Sequence, residues 1–283
     1  MQAIGFYSNT ERDKSLVTTA ALVRYAVARG CTAYVEDEML PALAGTGALP
    51  AEGRLGERAD FIAVLGGDGT ILRAAQLAAR FDKPLIGFNL GNLGYLTDVE
   101  GAEATAALNE VLEGRYTVEK RMMLVVTVDG QAEASPMLAL NDVCITRGVR
   151  LRMIGCRVHV NDDYIDTYHA DGLIVCTPTG STAYSLSAGG AILKPALEAM
   201  AITPVCPHAL YARSLIVAAD DVVRITTLEE EPSDVTLSLD GQSVCAIGQN
   251  ATIRVTRAKQ CTRILKTNKH GFYDILRAKM LAK

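Results

Sequence analysis

The chain has 283 residues, room for roughly two domains at about 150 residues each and for cores that need no disulfide or structural metal. Hydrophobic residues make up 49% and charged residues 21%, an ordinary globular composition that excludes disorder as the main state. The net charge of −4 excludes a protein that coats nucleic acid or a membrane surface with a basic face, but not a small anionic ligand at a local site.

Residues 2–7 read as a short apolar strand. Residues 15–29 carry Leu16, Ala20, Val23 and Val27 at helical spacing, and Gly30 is placed to stop that helix. A second strand is expected over 32–35. Residues 41–56, broken by Gly and Pro, read as a mobile loop. The apolar run 61–65 suits a strand buried on both faces. It ends in Gly66-Gly67-Asp68-Gly69-Thr70, and a helix is expected over 71–80 and another buried strand over 84–88. Strand, turn, helix and strand in this order predict a Rossmann-like parallel sheet.

From about Tyr116 the texture changes. Strands are predicted over 118–128, 137–146, 156–160, 173–176, 215–217, 222–227, 235–239, 244–247 and 251–256. Asp129-Gly130, Asp162-Asp163 and Asp240-Gly241 are hairpin signals between them. Many short strands predict a β-rich, sandwich-like second domain, interrupted by one helix opening near Ser181. The tail 272–283 puts Ile275, Leu276 and Met280 on one helical face and is expected to pack back on a domain. The predicted division is therefore 1–115, with 268–283 returning to it, and 116–267.

Seven cysteines, an odd number without a C-x-x-C pair, point to reduced thiols. The first residues lack the basic and long apolar regions of a signal peptide, and no apolar run reaches about 18 residues. A cytoplasmic location is expected. The histidines (159, 169, 208 and 270) show no metal spacing.

Three glycines at a strand-to-helix turn would allow positive φ and close backbone approach to a ligand. The helix behind them offers free N–H groups and the positive end of its dipole to a phosphate. Read blandly, this is a tight turn with Asp68 as N-cap. A carboxylate is a poor phosphate ligand, so Asp68 is free to accept a hydroxyl proton or hold Mg²⁺ between phosphates. The Walker A loop, G-x-G-x-x-G, G-x-S-x-G and S-x-x-K are all absent.

Three further segments stand out. Residues 86–96 are rich in Gly and Asn. Asn141-Asp142 sets an amide beside a carboxylate, a pair able to read a base edge and ribose hydroxyls, though by itself more often a turn. Residues 171–185 run from Asp171 through a buried strand and a Pro-Thr-Gly turn into a hydroxyl-rich helix start. Thr179 or Ser181 is expected to cap that helix, and Tyr184 is available to stack on a ring.

The pentapeptide resembles the phosphate-binding turn shared by NAD kinases, diacylglycerol-type lipid kinases and phosphofructokinases. Together with 86–96, Asn141-Asp142, 171–185, Asp240-Gly241-Gln242 and 272–277, the chain resembles a bacterial-type NAD kinase along nearly its whole length. That resemblance implies ATP-dependent phosphorylation of the 2′-hydroxyl of the adenosine ribose of NAD, with a divalent cation, Mg²⁺, carried on the ATP phosphates. It implies Asp68 as the base and Gly66, Gly67, Gly69 and Thr70 as the phosphate cradle. Arg73 is either a phosphate ligand or a solvated helix residue. The NAD contacts implied are Asp68, Gly69, Asn141, Asp142, Arg152, His169, Asp171, Thr182, Ala183, Tyr184, Ser187 and Gln242. Arg152 and His169 match positions that act partly across a subunit interface, and a homodimer or homotetramer is implied. Arg147, Arg150, Arg152 and Arg157 form a basic stretch, read mostly as a solvated edge. One departure is visible: the family commonly has Asn-Glu where this chain has Asn141-Asp142. The alternatives are a lipid or sugar kinase sharing the turn, and a sensor that binds NAD(P) without chemistry.

Overall fold

The computed structural model describes residues 2–91, 94–97, 99–129, 137–148, 152–209, 211–228, 235–248, 250–267 and 271–281. Gly130 and Arg150, named above, lie outside them, as do 92 and 93 of the segment 86–96, residues 268–270 and the last two residues. The chain divides into two compact units, 1–120 with 261–283, and 121–260.

The first unit runs β1 (Ala3–Ser8), α1 (Val17–Ala28), β2 (Thr32–Val35), β3 (Leu49–Pro50), α2 (Leu55–Arg58), β4 (Phe61–Gly66), α3 (Asp68–Arg80), β5 (Pro84–Asn89), β6 (Val99–Glu100) and α4 (Ala104–Leu112). Its strands pair in parallel, β1 between β2 and β4, and β4 against β5. Every residue of β4 is buried, which requires cover on both faces. Phe61, Ala63 and Leu65 join Ile4, Phe6, Ile86 and Phe88 in a core with Leu22 and Val23 of α1 and Leu108 of α4. On the other face, α3 buries Ile71, Ala74, Ala75, Ala78 and Ala79, one apolar stripe at helical spacing. Its small alanines let the helix lie close to the sheet, and the Ile71 side chain reaches the backbone at Gly87.

Residues 41–56 are not a simple loop. A 3₁₀ turn covers Asp37–Leu43, followed by β3 and α2, with Leu43, Ala51 and Leu55 almost fully buried. The glycines there, Gly45, Gly47 and Gly53, take positive φ, so they punctuate short packed elements.

The chain continues as β7 (Thr117–Val128), β8 (Met137–Ala139), β9 (Asp142–Arg147), β10 (Ile154–Val160), β11 (Asp163–Ala170), β12 (Gly172–Cys176), α5 (Tyr184–Ser187), β13 (Ala199–Val205), β14 (Leu215–Ala218), β15 (Val223–Thr227), β16 (Val235–Leu239), β17 (Gln242–Ile247), β18 (Thr252–Lys266) and α6 (Phe272–Leu281). In the second unit, one antiparallel sheet has the order β14-β13-β12-β9-β16-β17. Strands β11, β10, β15 and the first part of β18 form another antiparallel run. Val143, Ile145, Leu173, Val175 and Leu237 of the first layer share one core with Val158, Ile225 and Val255 of the second. This is the β-rich, sandwich-like arrangement expected.

In the second unit, β11 and β13 escape the pattern reading. β11 is mostly exposed and polar, and β13 contains Pro204, which registers with Leu173. The helix expected near Ser181 is a 3₁₀ turn, Gly180–Thr182, and the four-residue α5. Gly189, at φ +86°, turns the chain out of it. In α6, Ile275 is buried but Met280 is 61% exposed, so the apolar face is narrower than its spacing suggests. Lys279 sits 4.7 Å above the Tyr95 ring.

Phe88 is fully buried where the β4–β5 ladder ends. Phe88→Ala is expected to cost about 3–5 kcal/mol, read as a lower denaturant midpoint at unchanged m-value.

Candidate active site

The turn after β4 is built for space. Gly67 is the N-cap of α3, with φ −120° and ψ −171°, and none of Gly66, Gly67 or Gly69 has positive φ. A Cβ on Gly66 would lie 2.3 Å from Thr70 Oγ1, and one on Gly67 would lie 2.9 Å from an Arg12 guanidinium nitrogen. Gly69 faces open space. Thr70 is buried at 2% exposure. Arg73 is exposed, four residues on from Gly69 and so on the same helix face.

Asp68 is the first helical residue of α3, not its cap. Its carboxylate accepts the backbone N–H groups of Tyr95 at 2.8 Å (Oδ2), Leu96 at 3.0 Å (Oδ1) and Thr97 at 3.2 Å (Oδ1). The Thr97 hydroxyl donates to Oδ1 as well, at 3.3 Å. Oδ1 is thereby filled, while Oδ2 takes one bond and keeps acceptor capacity. Gly94 makes this approach possible, because a Cβ there would stand 2.0 Å from Asp68 Oδ1. Burial of the Tyr95 hydroxyl, and then the nearby Asp68 charge, raise its pKa.

In the second unit a second carboxylate does the same. Asp240 accepts the N–H groups of Leu140 at 2.9 Å, Asn141 at 2.7 Å and Asp142 at 3.2 Å. The sequence marks Asp240 as part of the Asp240-Gly241-Gln242 segment and as a hairpin residue. It is one, since Asp240 and Gly241 both have positive φ, and nothing in an Asp-Gly pair announces the further bonds. The Thr177 hydroxyl donates to the Leu140 carbonyl at 2.6 Å and accepts the Gly180 N–H at 3.1 Å. Thr177 therefore holds the Pro-Thr-Gly turn. Thr179 makes no side-chain cap bond, and Ser181 is spent on Pro178 and Leu193. Gly180 presses on Asn141, where a Cβ would stand 2.0 Å from the Asn141 carbonyl oxygen.

These contacts join Asn141, Asp142 and the start of 177–183. Thr182 donates to the Thr179 carbonyl at 3.3 Å. Tyr184 is 43% exposed; burial of its hydroxyl, and then nearby groups including Asp171 and Asp142, raise its pKa. Asp171 pairs with Arg147 at 2.9 Å, so Arg147 is no idle edge residue. Arg152, His169, Ser187 and Gln242 are exposed and Ala183 half-buried. His169 lies on β11 opposite Gly155.

Asp142 is only 4% exposed. Burial pushes its carboxyl up to about 6; the Cys144 thiol, donating at 3.3 Å, opposes this, and the Asp240 charge reinforces it.

An open glycine turn at a helix start beside an oriented carboxylate is an arrangement suited to a phosphate-bearing ligand. Residues 4–116 match the model of the ATP-NAD kinase N-terminal domain, and residues 140–267 that of the ATP-NAD kinase C-terminal domain. A curated NAD kinase of Caldanaerobacter subterraneus subsp. tengcongensis is 40% identical over 281 residues, covering 99% of each chain. One of Symbiobacterium thermophilum is 40% identical over 278 residues, covering 96% of each. The yeast NADH kinase in complex with NADH superposes with a TM-score of 0.87 at 24% identity, covering 100% of this chain and 87% of that one. An Archaeoglobus fulgidus NAD kinase in complex with ATP gives 0.77 at 24% identity, covering 99% and 98%. The chain belongs to the ATP-NAD kinase family.

Asp142 gives the unit a pH signature. Its carboxyl titrates near 3.8 when unexposed to these effects and about 6 when folded, so between those values the folded protein holds the extra proton. Its contribution to stability is present at the acid end of that window and is lost as pH rises through it. The stability of the wild type relative to Asp142→Asn should fall by about 3 kcal/mol between about pH 3 and pH 7, measured by denaturant titration at each pH. A flat difference would mean that Asp142 is not held protonated.

Proposed function

We propose that the protein is an ATP-dependent NAD kinase, transferring the terminal phosphoryl group of ATP to the 2′-hydroxyl of the adenosine ribose of NAD to give NADP. The observation that carries this reading is Asp68, fixed by three backbone N–H groups with acceptor capacity left on Oδ2. A pure sensor gains nothing from an oriented carboxylate beside phosphates.

In this reading the ribose hydroxyl donates to Asp68 Oδ2. Its proton passes to that oxygen as the new P–O bond forms and the bond to ADP breaks. The transition state of such transfers is loose, so placement and charge neutralisation do most of the work. Gly66, Gly67, Gly69 and Thr70 would offer N–H groups to the phosphates, and Arg73, on the open face, a cation. Asn141, Asp142, Asp171, Thr182, Ala183, Tyr184, Ser187 and Gln242 would hold the dinucleotide. Arg152 and His169, both exposed, suit a ligand shared with a second subunit of a homodimer or homotetramer. A cytoplasmic location suits the free thiols.

Among the described residues no group of three His, Cys, Asp or Glu side chains could hold a metal. A divalent cation, Mg²⁺, would be carried on the ATP phosphates, and when bound it would neutralise phosphate charge.

NADP formation from NAD, ATP and Mg²⁺, read with an NADP-specific dehydrogenase, tests the activity. Activity with diacylglycerol in place of NAD would select the lipid kinase, and binding without turnover the sensor. Asp68→Asn keeps the shape and should keep NAD binding while kcat falls by about 10²–10⁴-fold. Comparable kcat would remove Asp68 from the role of base.

A further inference from the structure

The loop after β1 contributes nothing to the site as read from the sequence, yet it ends on the glycine turn. Asn9 accepts the Glu11 and Arg12 N–H groups at 3.0 and 3.1 Å, and its amide reaches Thr70 Oγ1 of α3 at 3.5 Å. Asp13, 3% exposed, accepts the Thr18 and Thr19 N–H groups at 3.0 and 2.8 Å and the Thr19 hydroxyl at 2.6 Å. Arg12 is thus pinned on both sides in the backbone. One guanidinium nitrogen lies 2.9 Å from where a Cβ of Gly67 would stand and 2.9 Å from the same point at Gly91. Any side chain at either glycine would displace the arginine.

Asn89 approaches from β5. It registers with Gly66 across the β4–β5 ladder, and its Oδ1 accepts the Gly91 N–H at 2.9 Å. It is 3% exposed, and its Nδ2 has no hydrogen-bond partner. Buried donors are almost always paired. The Asn89 side chain is tied to Gly91 and its backbone registers with Gly66, the first glycine of the turn that opens the 13-residue α3.

We infer that Arg12 and Asn89 complete a polyphosphate subsite at this turn, gripping the terminal phosphates of the nucleotide donor. Three kinds of donor meet there: a planar guanidinium fork, a buried amide and the free N–H groups of a helix start. All three are donors, which selects an anion. The acidic neighbour, Asp68, is turned to residues 95–97 and leaves the donors unopposed. A guanidinium suits phosphate oxygens in pairs, which an ammonium cannot match.

The inference deepens the kinase reading and rests on it for the identity of the donor, but its first test does not need NAD. Inorganic tripolyphosphate and ATP are titrated calorimetrically into the full chain, as wild type, Arg12→Ala, Arg12→Lys and Asn89→Asp. KM for ATP and for NAD is measured in parallel, with Tm as the check on folding. Arg12→Ala, an exposed position, should weaken tripolyphosphate and raise KM for ATP by about tenfold or more, with KM for NAD and Tm unchanged. Arg12→Lys should recover part of that loss, and Asn89→Asp, which turns the donor into an acceptor, should weaken tripolyphosphate at unchanged NAD affinity. Wild-type tripolyphosphate affinity in Arg12→Ala, equal losses toward ATP and NAD, or no tripolyphosphate binding by the wild type would overturn the subsite. A wild type that binds tripolyphosphate through Arg12 but makes no NADP would sink the kinase reading and leave the subsite standing.

Discussion

The carboxylate of Asp68, receiving the N–H groups of three successive residues, is the constraint on which the first unit's site depends. Buried backbone donors need partners, and residues 95–97 lie outside the strand ladders that would supply them. A carboxylate is the side chain able to accept several at once. In return, those donors fix the acid's direction. The arrangement requires the strand that delivers Gly66, the helix that begins at Asp68 and the missing side chain at Gly94. The second unit uses the same device, with Asp240 holding residues 140–142 at the break between β8 and β9. Each unit thus makes an irregular segment rigid where regular structure stops, the kind of place where binding groups are placed on a firm scaffold.

The central strands were legible because two-sided burial leaves an unbroken apolar run. Residues 61–65 and 84–88 differ from β4 and β5 by a single residue at one end. Hairpin chemistry was legible as well: Asp240-Gly241 reads as a tight turn, and both residues adopt the positive φ such turns demand. What escaped has a common cause. β11 is an edge strand with little apolar alternation, β13 carries a proline, and 37–58 folds into elements too short to show a period. In each case pairing and packing from elsewhere, not local pattern, decide the conformation.

The site was legible in its residue types and not in its physics. Asp68, Asn141, Asp142, Asp171 and the 177–184 segment stand out as motifs, yet of the two reasons the turn's glycines suggest, positive φ and close approach to a ligand, the first does not hold. The structure assigns them to space: Gly66 against Thr70, Gly67 and Gly91 against Arg12, Gly94 against Asp68, Gly180 against Asn141. None of these contacts is local enough to read from spacing. Arg12, and the bonds of Asp240 to residues 140–142, escape for the same reason, since the turns they serve lie far away in sequence. Where the family commonly has Glu, the short arm of Asp142 keeps its carboxylate against its own strand, where the Cys144 thiol two residues on can donate to it. That placement is what buries the group and raises its pKa.

The net charge of −4 looked ill suited to a ligand made of phosphates. The distribution of donors answers this. Arg147 is committed to Asp171 and Arg257 to Glu198 and Asp220, so the overall count of cations says little about any one site. Around the glycine turn the field is set locally, by backbone N–H groups, the end of the α3 dipole and the exposed Arg12 and Arg73. Dipoles fixed in the fold need no reorganisation when an anion arrives, whereas mobile surface lysines would have to be ordered. An acidic protein can therefore hold a polyanion, provided that its nearby acids are turned elsewhere. Asp68, bound to residues 95–97, meets that condition and keeps acceptor capacity on Oδ2.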